Sequence, residues 1–120
     1  PDIILSTLNA RYSHSALGLR YLLANMGELQ RQTVIREFTL ESNPAEIAEQ
    51  LLMLEPKVVG LGVYIWNLEQ TTRLVGLLKA IAPRVTVVLG GPEVSHEHAA
   101  QPIAAMADYL IQGPGELQFP

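Results

Sequence analysis

Short apolar runs alternate along this chain with stretches in which apolar residues recur every three or four positions. Ile3-Ile4-Leu5 opens the first run and predicts a strand. A polar loop is expected over residues 9–15. Leu17, Tyr21, Leu22 and Met26 then keep helical spacing, with Gly27 placed to close the helix. Thr33-Val34-Ile35-Arg36-Glu37-Phe38-Thr39 alternates and is rich in strand formers, which predicts a second strand. Asn43-Pro44-Ala45-Glu46 predicts a helix start: Asn43 caps free N–H groups, Pro44 sits where no N–H is needed, and Glu46 can complete a capping box. Ile47, Leu51 and Leu54 form that helix's buried stripe, and Pro56 ends it. Val58-Val59-Gly60-Leu61-Gly62-Val63 is continuously apolar, as in a strand covered on both faces. Asn67-Leu68-Glu69-Gln70 predicts a second capping box, followed by Leu74, Leu77, Leu78 and Ile81 on one face up to Pro83. A fourth strand is expected over 85–89, a helix within 97–106 despite Pro102, and a fifth strand at Tyr109-Leu110-Ile111.

Strand and helix that alternate with short connections imply parallel strands, right-handed crossovers and helices on both faces. The expected fold is α/β: a three-layer, doubly wound, parallel five-stranded sheet in the flavodoxin-like order 2-1-3-4-5. In such sheets ligands bind beyond the carboxyl ends of the strands, where the strand order switches. Four loops belong there: Asn9-Ala10-Arg11-Tyr12-Ser13-His14-Ser15, Tyr64-Ile65-Trp66-Asn67, Gly90-Gly91-Pro92-Glu93-Val94-Ser95 and Gly113-Pro114-Gly115-Glu116. The third follows Val87-Val88-Leu89, a run built like a buried strand that stops on two glycines and a proline. Either the chain turns tightly there or its backbone is bare so that a ligand can lie against it. Glycines admit a flat ligand to the backbone and aromatics shield its apolar faces, which favours a large, partly apolar ligand over a bare phosphate.

Composition narrows the classes. At 120 residues the chain suits one domain, 1–120. It begins at Pro1 and ends at Phe119-Pro120, which suggests a fragment of a longer protein. No apolar run approaches a membrane span, and the first residues lack the basic leader of a signal peptide. A net charge of −4 without a basic run argues against a nucleic-acid partner. The absence of cysteine removes disulfides, thiolate nucleophiles and cysteine-held zinc or iron–sulfur sites, and it fits a cytoplasmic chain. His96-Glu97-His98 looks like a metal cluster, but alternate positions on a helix point apart and no third ligand is evident, so a solvated helix start is preferred. A flavodoxin's Ser/Thr-rich phosphate loop is poorly matched after strand 1. A phosphorylation receiver needs an Asp ending strand 3, where this chain has Gly62-Val63-Tyr64. A G-x-G-x-x-G dinucleotide loop is absent.

The stretches "VVGLGVYIWN", "VVLGGPEVS" and "GPGE" together resemble the amino-terminal cobalamin-binding domain of B12-dependent radical SAM proteins. That superfamily includes methyltransferases and the anaerobic magnesium-protoporphyrin monomethyl ester cyclase. The resemblance implies that the corrin ring lies over the carboxyl ends of the strands while the nucleotide tail runs beside the sheet. Gly90 and Gly91 would lie against the tail, with Pro92 and Glu93 beside them. Gly62 stands where many relatives have a Ser that bonds it. Tyr64, Trp66 and Asn67 would border the corrin, and Asn9, Arg11, Tyr12 and Ser13 would meet its amide side chains. Gly113 and Glu116 belong to the terminal motif, usually Gly-Glu-Gly-Glu, in which this chain has Pro114. In the related Asp-x-His-x-x-Gly motif the His binds cobalt. Here Tyr12-Ser13-His14-Ser15-Ala16-Leu17-Gly18 lacks the Asp and has its Gly one place late. Cobalt ligation by His14 therefore stands behind a capping or amide-bonding role.

The implied function is to bind cobalamin and present it to a radical SAM domain of the same polypeptide. That domain would carry a [4Fe-4S] cluster and use S-adenosylmethionine for methyl transfer or related radical chemistry. The fragment alone is not expected to catalyse. The alternatives are a cofactor-free interaction or sensor domain on the same fold, and a flavin- or nucleotide-binding module.

Overall fold

The structure, a computed structural model, describes residues 2–9, 27–64, 67–90, 103 and 106–111, with 110 and 111 described by backbone alone. β1 (Ile3–Asn9) is followed by a 3-10 turn (Gly27–Gln32), β2 (Thr33–Thr39), α1 (Pro44–Met53), β3 (Val58–Gly62), α2 (Leu68–Ile81), β4 (Thr86–Gly90) and β5 (Tyr109–Ile111). The fold is α/β and flavodoxin-like, its parallel strands ordered β2-β1-β3-β4. The three-residue β5 segment continues the sheet beside β4. The expected first helix, over 17–26, lies outside the described residues.

Strand register sorts the side chains onto two faces. Ile4 pairs with Val59 and Val59 with Val87. Ile4, Leu8, Leu61, Val63 and Leu89 join them on one face, where they form a single core with Ile47, Ala48 and Leu51 of α1 and Leu74, Val75 and Leu78 of α2. The two helices lie side by side on that face. Ile103, itself helical, adds to the same core. The opposite face of β1 is buried as well, since Leu5 and Thr7 are each only 1% exposed. β3 is likewise buried from Val59 to Gly62, which explains its unbroken apolar sequence.

Some boundaries differ from the sequence pattern. β1 runs on through Ser6 and Thr7 to Asn9, so the polar-looking end of that segment is strand, paired on both sides as far as Thr7 and with β2 to Asn9. β4 ends one residue later than expected, on Gly90, which is therefore inside the ladder. Gly27, which leads the 3-10 turn, has φ +61, the left-handed conformation that glycine adopts without strain. At α1 the Asn43 cap and the leading Pro44 hold, since Asn43 Oδ1 accepts from Ala45 N at 2.8 Å. At α2 it fails, because Asn67 makes no side-chain cap bond. Both polar residues of that segment are used elsewhere. Gln70 Nε2 donates to Leu40 O at the end of β2, at 3.3 Å, and Asn67 turns into the sheet.

The amino-terminal edge of the sheet carries its own tie. Asp108 Oδ2 accepts from Val87 N and from Lys79 Nζ, each at 2.8 Å, and Asp108 N donates to Val87 O. Lys79 also donates to Val85 O. The Lys79 hydrogen bond, with the Val87 N–H behind it, holds the Asp108 carboxyl below its usual range. A depressed carboxyl adds stability at neutral pH, and that gain is lost as the pH falls through the ordinary and then the lowered value. Asp108→Asn should therefore be less stable than the wild type at pH 7 in urea unfolding. The difference between the two should close as the pH falls below about 4.

Candidate functional site

At the carboxyl end of the sheet, one lateral row crosses four strands. Glu37 of β2 pairs in register with Thr7 of β1, Thr7 with Gly62 of β3, and Gly62 with Gly90 of β4. All four lie on the face opposite α1 and α2, because β-strand side chains alternate and their neighbours Leu8, Leu61, Val63 and Leu89 face the helices. Two of the four have no side chain.

The two glycines are bare for different reasons. A Cβ built on Gly62 would sit 3.3 Å from Thr7 Oγ1 and 3.3 Å from Tyr64 Cε2. Gly62 thus sits in a place crowded by the chain's own packing, with the Tyr64 ring edge lying over it. A Cβ on Gly90 would meet nothing within 4 Å among the described residues. Gly90 also lacks the positive φ that would demand glycine, since Gly27 alone among the described glycines has one. A glycine inside a strand weakens it by giving up packing and by losing more backbone freedom on folding. Among the described residues neither conformation nor crowding accounts for Gly90, and a side chain there would meet open space.

Asn67 organises this end of the sheet. It is fully buried, and its Nδ2 lies 3.0 Å from Leu8 O, 3.1 Å from Gly62 O and 3.3 Å from Thr7 Oγ1. Its Oδ1 accepts from Tyr64 N at 2.8 Å. One amide thereby joins the ends of β1 and β3 to the first turn after β3, which is where the strand order switches. Thr7 Oγ1 donates to Gly62 O at 3.1 Å and closes the same link. Val63 N donates to Gly90 O at 2.7 Å, so β4 is pinned to the same turn. With no exposure and all its polar atoms engaged, the Asn67 side chain serves the framework of the site.

Asn9, the last residue of β1, keeps partial exposure and donates through Nδ2 to Glu37 Oε1 at 3.0 Å. Of the residues the sequence singled out, the structure thus brings Asn9, Gly62, Tyr64 and Gly90 to one rim, with Asn67 beneath them. Arg11, Tyr12, Ser13, His14, Trp66, Gly91, Pro92, Glu93, Gly113 and Glu116 lie outside the described residues, as do His96 and His98. Thr7 and Glu37 belong to the site and were not singled out. Their signal lay in strand register, which places residues distant in sequence in one row. An open groove lined by Asn43, Pro44, Gln70 and Arg73 lies instead between α1 and α2. Its arginine is already paired with Glu69 at 2.9 Å.

The family model described as the B12-binding domain matches residues 4–120. This chain belongs to the B12-binding domain family. Among proteins similar to this B12-binding domain is the cobalamin-dependent radical SAM methyltransferase TokK of Streptomyces tokunonensis, 34% identical over 71 residues. That match takes in 56% of this chain and 10% of TokK, so the domain spans only a small part of that relative. A cobalamin-binding protein from Desulfitobacterium hafniense DCB-2 has the same fold, with TM-score 0.65 and 21% identity over 95% of this chain and 53% of that one. A CheY-like protein from Pseudomonas aeruginosa PAO1 is as close in shape, with TM-score 0.65 and 19% identity over 98% of this chain and 88% of its own. These two likenesses concern the fold alone. The end of β3 in this B12-binding domain carries Gly62-Val63-Tyr64 and no acid.

Replacing Asn67 should therefore unfold the site's frame. Asn67→Ala leaves Leu8 O and Tyr64 N without their buried partner and should cost at least about 2 kcal/mol in urea unfolding. Asn67→Asp should cost more, because it turns a carboxylate oxygen toward the carbonyls of Leu8 and Gly62. A loss within about 0.5 kcal/mol for both variants would refute the framework role.

Proposed function

We propose that this domain binds cobalamin at the carboxyl end of its sheet, with the unfilled space beside Gly90 receiving part of the cofactor. The observation that carries the proposal is that Gly90 is bare inside a strand with neither a conformational nor a packing reason among the described residues. Family membership supplies the ligand class that such a space would take. The residues that would hold it are Gly90 and, at the rim, Asn9 and Tyr64. The loop residues Arg11, Tyr12, Trp66, Gly91 and Glu93 join them by the resemblance of their motifs. The fit is uneven along the row: Gly90 leaves room, whereas at Gly62 the Tyr64 ring and Thr7 already fill the position a side chain would take.

Bound cobalamin supplies cobalt-centred alkyl-transfer or radical chemistry. The chain's part is to bind and orient the cofactor and to keep a rigid rim beneath it. We further propose that the domain serves a radical SAM module of a longer polypeptide, one that uses S-adenosylmethionine and a [4Fe-4S] cluster. The likeness to TokK supports this reading. A cofactor-free sensor or interaction domain is the second reading, favoured by the Tyr64 ring over Gly62.

Titration of the chain with hydroxocobalamin, followed by its visible spectrum and by calorimetry, separates the two readings. Saturable binding is expected, and its absence at high cofactor concentration favours the cofactor-free domain. Gly90→Val supplies the sharper test. It should melt no lower than the wild type, because valine suits a strand and the added Cβ meets nothing among the described residues. It should nevertheless bind cobalamin at least about tenfold more weakly, a loss of roughly 1.4 kcal/mol. A variant that is destabilised, or that binds unchanged, contradicts the assignment of that space.

A further inference from the structure

We infer that Glu37, on the edge strand β2, is a positioning residue that fixes which atom of the Asn9 amide is offered to the ligand; this rests on the cobalamin reading above. An asparagine amide is nearly symmetric in shape but opposite in chemistry at its two ends, with two donors on nitrogen and an acceptor on oxygen. Nothing in the shape of Asn9 decides which end faces outward. Its partner decides it. Glu37 Oε1 lies 3.0 Å from Asn9 Nδ2, and an ionised carboxylate only accepts. The nitrogen is therefore committed to β2, and Oδ1 is the atom left for other partners.

Register explains why this pair can form. Glu37 stands opposite Thr7, two residues before Asn9 on the same face of β1, so the two side chains are diagonal neighbours across adjacent strands. The backbone around Asn9 is also fixed, because its own carbonyl accepts from Leu40 N at 2.9 Å. A partly exposed side chain on a pinned backbone, with its nitrogen held by a carboxylate, keeps Oδ1 in one place. Among the described residues Oδ1 has no partner.

The chemistry that such an acceptor recognises is an N–H donor. The edge of a corrin carries primary carboxamides, which offer such donors, and the acceptor would disfavour a carboxylate at the same point. Asn9 thus reads an amide, and Glu37 selects for an amide over an acid without touching the cofactor. The sequence pattern gives Glu37 only as a polar position in an alternating strand. Its assignment comes from the pairing of β1 with β2.

The test is a set of cobalamin titrations on Glu37→Ala, Asn9→Ala, the double variant and Glu37→Gln, each beside a thermal melt. Glu37→Ala and Asn9→Ala should each weaken cobalamin binding about five- to tenfold, the effect of one hydrogen bond. The double variant should bind about as well as either single one, because both act through the same contact. Glu37→Gln, whose amide lets Asn9 take either orientation, should lose about two- to threefold. The wild type should also bind at least one monocarboxylic-acid derivative of cobalamin more weakly than the parent amide, and Asn9→Ala should reduce that preference. Unchanged binding by Glu37→Ala, or losses that multiply in the double variant, would overturn the inference while leaving the cobalamin reading intact. No binding by the wild type would overturn both.

Discussion

A single buried amide sets the geometry on which the rest of this domain depends. The switch in strand order between β1 and β3 opens a crevice at their carboxyl ends, and an open crevice leaves main-chain carbonyls without strand partners. Asn67 answers two of them, Leu8 O and Gly62 O, and takes the Tyr64 N–H with its own oxygen. An aspartate would lack the donors, a serine or threonine would offer only one, and a glutamine would carry an extra methylene into a fully enclosed space. The residue at the head of α2 thus stabilises the sheet rather than the helix. The helix start is left to its backbone, with Thr71 N donating to Asn67 O at 2.8 Å.

This constraint explains why neighbouring glycines in one row have separate meanings. With β1 and β3 tied together, Thr7 Oγ1 and the Tyr64 ring edge close over Gly62, and a Cβ there would press on both at 3.3 Å. The tie does not reach Gly90 in the same way. It fixes that residue's carbonyl through Val63 N but leaves its Cα open. The framework is thus dense between β1 and β3 and vacant on β4, within the width of two strands. One sheet architecture serves many chemistries, so the fold shared with a CheY-like protein does not by itself say what the strand ends hold.

Much of the architecture was legible in the sequence, because hydrophobic period and helix punctuation are local. The span of β2, the Asn43-Pro44 start of α1 and the stop before Pro83 follow from short windows of residues. The failures share one physical origin, which is that tertiary partners compete for polar side chains. Asn67 and Gln70 have the spacing of a capping box, yet the strand ends and Leu40 O offered them buried partners that a cap could not match. Asn9 falls in the loop expected over 9–15, yet pairing with Thr39 of β2 makes it strand. The open Gly90 was legible as a position but not as a space, because a sequence does not say what lies within reach of an absent side chain. Glu37 and Thr7 stayed hidden because their place in the site depends on register alone.

The polar groups at this rim divide into those that have spent their bonding capacity and those that have not. Asn67 is spent and buried. Thr7 donates to one strand and accepts from the loop, and it is almost fully enclosed. Asn9 is half spent, with nitrogen committed and oxygen remaining. The commitment rises from β2 toward the switch point and falls away again at β4, where Gly90 has no side chain to commit. Among the described residues this edge therefore consists of a stiff floor between β1 and β3, the Asn9 amide on one side and bare backbone at Gly90 on the other.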